Sequence, residues 1–260
     1  MQTVPTRRSI LGFAAALTAC PLCSIRSARA ADDHHGTSHW SYEGDTGPAH
    51  WGALSPEYRA CSLGTQQTPI DLQGAIEAQV GALDIAYQTM PLTILNNGHT
   101  IQVNTPPGSK LTIDGTAYEL FQFHFHHPSE HLLAGKHFEM ELHLVHRAAA
   151  GGLAVLGVLI TPGAANPALA PIWAAMPPHE APPRTIPDST IEPARLLPAD
   201  RTYFRYMGSL STPPCTEGLV WTVFRSPIEA SHEQIHAFAT VFPMNARPPQ
   251  SLHHRFVLES

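Results

Sequence analysis

Short runs of alternating apolar and polar residues recur along most of the chain, separated by Pro, Gly or Asn-Gly. Such runs are typical of half-buried strands, whereas an amphipathic helix repeats its apolar positions every three to four residues. The pattern predicts strands at residues 75–80, 91–97, 100–105, 110–115, 118–127, 138–147, 153–163 and 218–225. It therefore favours a mainly β domain over a helical bundle.

Three further segments complete the expected organisation. Residues 97–99, "NGH", predict a tight hairpin turn between two strands. Residues 176–201 carry proline every few positions and show no periodicity, so we expect an extended loop that wraps the surface. Residues 231–242 predict a short helix with Ser231 as its N-cap. Nothing in the composition marks a boundary after residue 31, so residues 31–260 are expected to form one domain.

Residues 1–30 have the pattern of an export signal. Arg7 and Arg8 resemble a twin-arginine signal, and the apolar stretch that follows them is too short to span a bilayer. The tripeptide "ARA" before Ala31 fits a cleavage site, so we expect a periplasmic or secreted mature chain without an integral membrane segment. The sequence "LTAC" offers an alternative, in which Cys20 carries a lipid anchor.

Cleavage after residue 30 changes the charge of the chain. It removes four of the 15 basic residues and no acidic ones, which leaves 11 basic residues against 21 acidic ones and a formal charge of −10. A chain with this charge and no run of basic residues is not expected to bind nucleic acid. A small or neutral substrate fits it better.

The same cleavage leaves two cysteines, Cys61 and Cys215. Exported proteins fold under oxidising conditions, where paired cysteines form disulfides. The count therefore favours one disulfide between these residues. The alternative is a pair of free thiols, which an oxidising compartment disfavours.

The segment "FQFHFHH" at residues 121–127 is rich in histidine. Side chains of an extended segment alternate between two faces. One face then carries Gln122, His124 and His126. The opposite face carries three aromatic rings that are expected to be buried in the core: Phe121, Phe123 and Phe125.

A second predicted strand, at residues 138–147, supplies a third histidine. Its Glu141, His143 and Val145 share one face. The opposite face is apolar and carries Met140, Leu142 and Leu144. Both strands therefore place polar, metal-capable groups on one side and hydrocarbon on the other.

The two histidine-bearing strands can pair as a hairpin. If the turn centres on residues 134–135, His126 lies opposite His143 and His124 lies opposite Val145. The register is open by about one pair, but side chains have a period of two along a strand. Any register of the same parity therefore keeps the three histidines on one face.

Three imidazoles that converge on a rigid sheet form a preorganised metal site. Three nitrogen ligands leave the fourth tetrahedral position open, which is typical of a catalytic zinc. Gln122 and Glu141 each precede a histidine by two residues, so each is placed to accept the second ring N–H of that ligand. In a chain with 17 histidines, two histidines spaced two residues apart can occur by chance. A third histidine on a neighbouring strand, with Gln122 and Glu141 in matching positions, is much less expected by chance.

The segment "HFHHPSE" also matches the H-x-H-x3-E core of a cupin motif. That motif has a glycine six positions before the first histidine, where this chain has Tyr118. It also has a downstream P-x-G-x2-H segment, which is absent from this sequence. The cupin alternative is therefore the weaker one.

Longer motifs extend over residues 38–257 and include "HWSYEG", "GPAHWG", "QQTPIDL", "LNNGH", "FQFHFHHPSEH", "GKHFEMELHLVH", "GLAVLGVLI", "YMGSLSTPPCTEGLVW" and "MNARPPQ". In these motifs the sequence closely resembles the α-class carbonic anhydrases, and the short connection between the two histidine strands is similar to the bacterial branch. The resemblance implies a single mainly β domain, with a large, twisted, mostly antiparallel sheet and a few short peripheral helices. The sequence does not distinguish a monomer from a homodimer.

The activity that the resemblance implies is reversible hydration of CO2 to bicarbonate and a proton. The reaction proceeds by attack of zinc-bound hydroxide, with proton transfer through a histidine. The implied Zn2+ ligands are His124, His126 and His143. A non-catalytic, zinc-binding relative of the family is the alternative. Such relatives typically lack one of the zinc histidines, whereas this chain has all three.

The resemblance also implies roles for other residues. His99 matches the proton shuttle, and Ser211 matches a gate hydroxyl that donates to Glu130. The family usually has threonine at the gate, so Ser211 departs from the pattern. The remaining matches are Tyr42, Asn97 and Gln102 on the polar side of the cleft; Val145, Val155, Leu210 and Trp221 on the apolar wall; Thr212 beside the substrate; Asn245, whose carbonyl orients His126; Arg247 as a buried structural residue; and Cys61 with Cys215 as a disulfide.

Overall fold

The computed structural model describes residues 39–260; the export signal, its cleavage site and Cys20 lie outside them. The strands are β1 (Asp71–Leu72), β2 (Ile76–Glu77), β3 (Asp84–Ala86), β4 (Met90–Asn96), β5 (Ile101–Asn104), β6 (Lys110–Ile113), β7 (Thr116–His126), β8 (Leu132–Leu133), β9 (Met140–Ala148), β10 (Leu153–Pro162), β11 (Ala181–Ile191), β12 (Tyr203–Ser209), β13 (Glu217–Phe224), β14 (Ile228–Ala230) and β15 (Leu258–Glu259). The α-helices are α1 (Trp51–Leu54), α2 (Ala60–Leu63), α3 (Ala170–Ala175) and α4 (His232–Val241), and 3-10 turns occur at Gly44–Thr46, Pro56–Tyr58 and Pro193–Leu196. None of the helices between residues 39 and 260 has the length and apolar content that crossing a bilayer requires.

One mixed sheet of 13 strands organises the described part of the chain. Its main path runs β11-β4-β5-β7-β9-β10-β13-β12-β15-β2, with β6, β3 and β14 attached at its sides. Most neighbours are antiparallel, whereas β10 runs parallel to β13 and β14, and β15 runs parallel to β2. The predicted mainly β fold, with a large sheet and few short helices, is confirmed.

The two faces of the central strands have different roles. Phe123, Phe125, Leu142 and Leu144 are fully buried in the largest apolar cluster. The alternate positions of β7 and β9 carry the histidines, on the opposite face. Burying these apolar side chains stabilises the fold by roughly 1.5–3 kcal/mol each, so the backbone that carries the histidines is firmly anchored.

Phe121 is not part of this core, contrary to the prediction, because its side chain is 48% exposed. The pairing of β7 with β9 shifts at this point, since Leu120 lies opposite His146 and Gln122 lies opposite Val145. The extra residue of a β-bulge changes which face the following side chains occupy. Leu120 therefore takes the buried position before the bulge.

The register between the histidine strands also differs from the prediction. His124 lies opposite His143, and His126 lies opposite Glu141, which is a shift of one pair. The connection is not a simple hairpin loop, because Leu132–Leu133 within it pairs in parallel with β1. The parity is unchanged, so the three histidines still share a face.

Residues 176–201 do not form an extended loop throughout, so this prediction is wrong. Ala181–Ile191 forms β11, which pairs with β4 and has two register shifts. The strand lies at the edge of the sheet, so no further strand pairs with its outer side. A proline whose missing N–H would face that side therefore costs the sheet no hydrogen bond. The proline-rich composition thus led to the prediction of a loop where the chain forms an edge strand.

The predicted turn at residues 97–99 and the predicted helix N-cap at Ser231 are both confirmed. Asn97 Oδ1 accepts hydrogen bonds from the backbone N–H groups of His99 and Thr100, which closes the turn between β4 and β5. Ser231 caps α4: its side chain accepts from Gln234 N–H, and Gln234 Oε1 accepts from Ser231 N–H. Such a reciprocal capping box satisfies two otherwise unpaired donors.

His146 lies buried in the sheet, where its Nε2 is hydrogen-bonded to Tyr87 OH at 2.6 Å. Burial lowers the pKa of His146 from 6.5 to about 4, although the main chain at Ala154 and Leu144 opposes the shift. Between these values the unfolded chain binds a proton that the folded chain does not, so stability falls as pH falls. We expect a loss of about 3 kcal/mol by pH 4.

Urea unfolding at pH 7 and at pH 4.5 checks this expectation. The wild type is compared with His146→Gln, which cannot titrate in this range. The variant should lose less unfolding free energy on acidification than the wild type does. Equal losses in the two proteins would contradict the assignment.

Candidate metal centre

Three histidines from two neighbouring strands converge on one face of the sheet. β7 carries His124 and His126, and β9 carries His143. One ring nitrogen from each residue lies within 4.8 Å of the other two. The rings are tilted against one another rather than stacked, with centroid distances of 5.0, 5.3 and 4.5 Å.

The second nitrogen of each ring has an oxygen partner. The pairs are His124 Nδ1 with Gln122 Oε1 at 2.9 Å, His126 Nδ1 with the Asn245 carbonyl at 2.7 Å, and His143 Nε2 with Glu141 Oε1 at 2.9 Å. A ring N–H that donates outward leaves the lone pair of the other nitrogen directed inward. The inward nitrogens are therefore Nε2 of His124, Nε2 of His126 and Nδ1 of His143.

This set of donors fits a zinc ion. His126 Nε2 is buried and has no hydrogen-bond partner within residues 39–260, which is costly unless a ligand takes its place. Burial lowers the pKa of His124 well below 6.5 and also lowers that of His126, so both rings are neutral as metal ligands require. Burial acts in the same direction on His143, but Glu141 raises its pKa overall.

A second group that could hold a metal, His131 with Glu141 and His143, is a hydrogen-bonded network instead. Glu141 Oε1 accepts from His131 Nδ1 at 2.7 Å as well as from His143, and Oε2 accepts from two backbone N–H groups. Burial alone would raise the pKa of Glu141, but the two histidines hold it well below its usual value. The carboxylate is therefore ionised and fully engaged.

The network continues away from the metal centre. His131 Nε2 is hydrogen-bonded to Tyr206 OH at 2.7 Å, and Tyr206 OH to Thr68 Oγ1 at 3.1 Å. The sequence reasoning gave no role to His131, Tyr206 or Thr68. Their separation along the chain carries no periodic signal, so only the folded sheet reveals the chain of contacts that fixes Glu141.

The gate pair does not form the hydrogen bond that the resemblance implies. Ser211 and Glu130 are both buried, yet Glu130 Oε2 has no hydrogen-bond partner within the described part of the chain. Glu130 Oε1 accepts from the backbone N–H of Arg247 at 2.9 Å. The shorter side chain of Ser211 lacks the methyl group that restricts χ1 in threonine, so its hydroxyl is less constrained.

A cleft of about 110 Å3 opens above the histidines. Its lining combines polar groups with aromatic rings and contains Trp40, Tyr42, Asn97, His99, Thr100, Gln102, Gln122, His124, His126 and Thr212. The structure therefore brings all three residues of the expected polar side, Tyr42, Asn97 and Gln102, to the metal centre. Burial and the Glu130 charge raise the pKa of Tyr42, so its hydroxyl stays protonated.

His99 lies at the mouth of this cleft and is half-buried. Its ring stacks on Trp40, with ring centroids 3.7 Å apart and planes 8° from parallel. Burial lowers the pKa of His99, His39 lowers it further, and Glu180 opposes the shift. Sequence reasoning missed Trp40 and Glu180, although Trp40 lies in the quoted "HWSYEG" motif.

The expected apolar wall forms a second buried cluster. Val145, Val155 and Trp221 belong to it, and Leu210 packs against it. The Trp221 ring lies 4.8 Å from the His143 ring and donates its N–H to the Ser209 carbonyl at 2.8 Å. The metal centre thus has hydrocarbon on one side and polar groups on the other.

Buried contacts fix the loop that carries the gate residue. Cys61 and Cys215 form a disulfide with Cα atoms 5.0 Å apart, as the cysteine count predicted. Arg247 donates hydrogen bonds to Gln67 Oε1, the Thr68 carbonyl and the Cys61 carbonyl. These contacts join distant segments behind the metal centre.

The fold and the site define a mainly β protein built around a candidate three-histidine metal centre, with a cleft above two of the histidines and a buried apolar cluster beside the third. The family model for eukaryotic-type carbonic anhydrase matches residues 46–260. The chain therefore belongs to the carbonic anhydrase family, in its α class, and is an enzyme of that family whose reaction is the hydration of CO2.

Individual relatives agree with this assignment. A carbonic anhydrase from Nostoc sp. is 46% identical over 256 residues, which cover 96% of this chain and 95% of that protein. A carbonic anhydrase from Pectobacterium atrosepticum is 42% identical over 91% of this chain and 96% of that protein. The solved α-carbonic anhydrase of Thermovibrio ammonificans, in complex with the inhibitor sulfanilamide, has a TM-score of 0.83 and 43% identity, covering 86% of this chain and all of that one.

Proposed function

We propose that this chain is a zinc-dependent enzyme that reversibly hydrates CO2 to bicarbonate and a proton in the periplasm. The observation that carries the proposal is the inward set of three imidazole nitrogens, each fixed by an oxygen partner on the other ring nitrogen. His124, His126 and His143 hold the metal. Bound there, zinc supplies Lewis-acid activation of water at neutral pH.

The chain's own residues prepare the substrate and the proton path. Val145, Val155, Leu210 and Trp221 provide an apolar surface where a neutral, nonpolar molecule replaces water. Thr212 lines the cleft. On the other side, Tyr42, Asn97 and Gln102 present polar groups that order a chain of water between the metal centre and His99.

Ser211 and Glu130 would form the gate that orients the attacking oxygen, which requires the Ser211 hydroxyl to donate to Glu130 Oε2, an atom without a hydrogen-bond partner among residues 39–260. The gate works with less preorganisation than a threonine would give, because serine samples more χ1 rotamers. Ser211→Thr is expected to raise kcat/KM for CO2 hydration a few-fold, and Ser211→Ala is expected to lower it. Stopped-flow hydration of the zinc-loaded proteins measures both, and a Ser211→Thr rate equal to or below that of the wild type sinks the idea.

His99 transfers the proton between the cleft and buffer. Its lowered pKa keeps the ring neutral, and able to accept a proton, over a wider range of pH than a free histidine. His99→Ala is expected to lower turnover in dilute buffer and to recover with added imidazole, while kcat/KM stays close to that of the wild type. An unchanged turnover in dilute buffer removes His99 from this role.

Stopped-flow CO2 hydration, with zinc measured on the same purified sample, tests the proposed function directly. Fast hydration that chelation removes and zinc restores supports a zinc lyase. One bound zinc per chain without hydration above buffer supports the alternative, a non-catalytic zinc-binding relative.

The periplasmic location rests on the export signal expected at residues 1–30, and the Cys61–Cys215 disulfide is compatible with it. The intact mass of the exported protein distinguishes the two forms of the N-terminus. A mass equal to that calculated for residues 31–260 supports cleavage after residue 30. A mass equal to that of a chain that begins at Cys20 and carries lipid supports the anchored form.

A further inference from the structure

A second cavity lies beside β7, at the end of the strand away from His126. This side pocket encloses about 460 Å3 between strands β6, β7 and β9 and the connection from β5 to β6. The lining residues that concern the argument are Thr105, Pro107, Lys110, Glu119, Phe121 and Arg147. Its size falls in the range of small-molecule sites, which is about 300–1,000 Å3.

The side pocket lies on the same face of the sheet as the metal centre. His143, Val145 and Arg147 alternate along β9 and therefore point to one side. The bulge at Phe121 turns that ring out of the core, and the ring lines the pocket. The side pocket is thus a separate cavity on the same face of the sheet, and it shares no lining residue with the cleft above the histidines.

The charged side chains that line the side pocket do not form salt bridges with one another. Lys110, Glu119 and Arg147 lie opposite one another across β6, β7 and β9, where opposite charges normally pair. No salt bridge joins any two of them within residues 39–260. Glu119 Oε1 instead accepts from the Gly108 N–H at 2.8 Å.

Arg147 has a different partner. Its guanidinium carbon lies 4.3 Å from the centroid of the Phe121 ring. Such a cation–π contact holds the guanidinium over the ring but uses none of its N–H donors. Two cations, with Glu119 between them, therefore line a cavity next to a half-exposed aromatic ring, on a chain with a formal net charge of −6.

We propose that the side pocket binds a small organic anion with a carboxylate on a flat apolar body. The N–H fork of Arg147 matches a carboxylate, and Lys110 adds a second positive charge. Phe121 supplies the apolar surface for the body of the ligand. This site is separate from CO2 hydration and does not depend on it.

Isothermal titration with 2-naphthoate tests the proposal, with neutral 2-naphthamide as the comparison. We expect one saturable site for the carboxylate, and binding about ten-fold or more weaker for the amide, since a charge-assisted hydrogen bond is lost. Arg147→Gln and Phe121→Ser should each weaken naphthoate binding about ten-fold. Arg184→Gln, an exposed cation on β11, is the matched control and should leave affinity unchanged.

A carboxylate can also bind a metal, so the titration is repeated after zinc removal and on the His124→Ala variant. Unchanged affinity in both excludes the histidine cluster as the binding site, and weaker binding by Arg147→Gln and Phe121→Ser then places the probe in the side pocket. Affinity that disappears with the metal overturns the proposal. So does binding that Arg147→Gln and Phe121→Ser leave intact, or the absence of saturable binding at millimolar probe.

Discussion

His124→Ala is expected to abolish zinc binding and to reduce CO2 hydration to the rate in buffer alone. The substitution leaves two imidazoles, too few to close a tetrahedral zinc site with one open position. His124 is a suitable target because its side chain is only partly buried and its one hydrogen bond goes to Gln122. The fold should therefore survive, and the loss should be confined to the metal and the reaction.

Two further variants make this expectation specific. Gln122→Ala keeps the ligand but removes the oxygen that orients it, so zinc affinity should fall by roughly 10–100-fold. His127→Ala alters the next histidine, whose ring is hydrogen-bonded to the Pro243 carbonyl and points away from the cluster, so zinc and activity should be retained. Metal analysis after dialysis and stopped-flow hydration measure all three. Stoichiometric zinc in His124→Ala would place the metal elsewhere.

The convergence of three histidines was predictable from the sequence because one strand carries two of them. The period of two in β7 and β9 brings His124, His126 and His143 to one face in any register of the correct parity. The same argument positions Gln122 and Glu141. The position of a residue along a strand thus predicts which face of the sheet its side chain occupies. This holds even though the predicted register between β7 and β9 was wrong by one residue pair.

Other features depend on contacts that no local pattern encodes. The bulge at Phe121 breaks an alternation that otherwise extends through the strand, and a single inserted residue leaves no compositional trace. β11 is concealed by its prolines, which an edge strand tolerates. The link from Glu141 through His131 to Tyr206 joins residues far apart in sequence.

Arg247 is the clearest of these long-range contacts. Its guanidinium reaches three oxygens from the first part of the described chain, and its backbone N–H holds Glu130. Burial lowers the pKa of Arg247 to about 10, which reflects the desolvation that these contacts offset. The charge of Glu130 opposes the shift. One residue therefore connects the disulfide region, through its guanidinium, to the carboxylate of Glu130, through its backbone N–H.

Arg247→Met is expected to lower the free energy of unfolding by about 3–5 kcal/mol, because removing one partner leaves buried polar groups unsatisfied. The acceptors that lose their donor are Gln67 Oε1 and the carbonyls of Thr68 and Cys61, all shielded from water. Urea unfolding with the disulfide intact measures the change. Arg247→Lys should recover only part of it, since an ammonium group cannot span three acceptors in a fixed plane.

Arg255→Met is the matched control for this measurement. Arg255 also donates to three oxygens, the backbone carbonyls of Ser251, Leu252 and Met207, but it lies at a partly exposed surface. Water can replace its hydrogen bonds, so we expect a loss of about 1 kcal/mol or less. If the two substitutions cost the same, burial of the acceptors is not what makes Arg247 important. A much larger loss at Arg247 shows that the stability of the fold depends on donors to the buried oxygens of Cys61, Gln67 and Thr68 that only a buried guanidinium supplies.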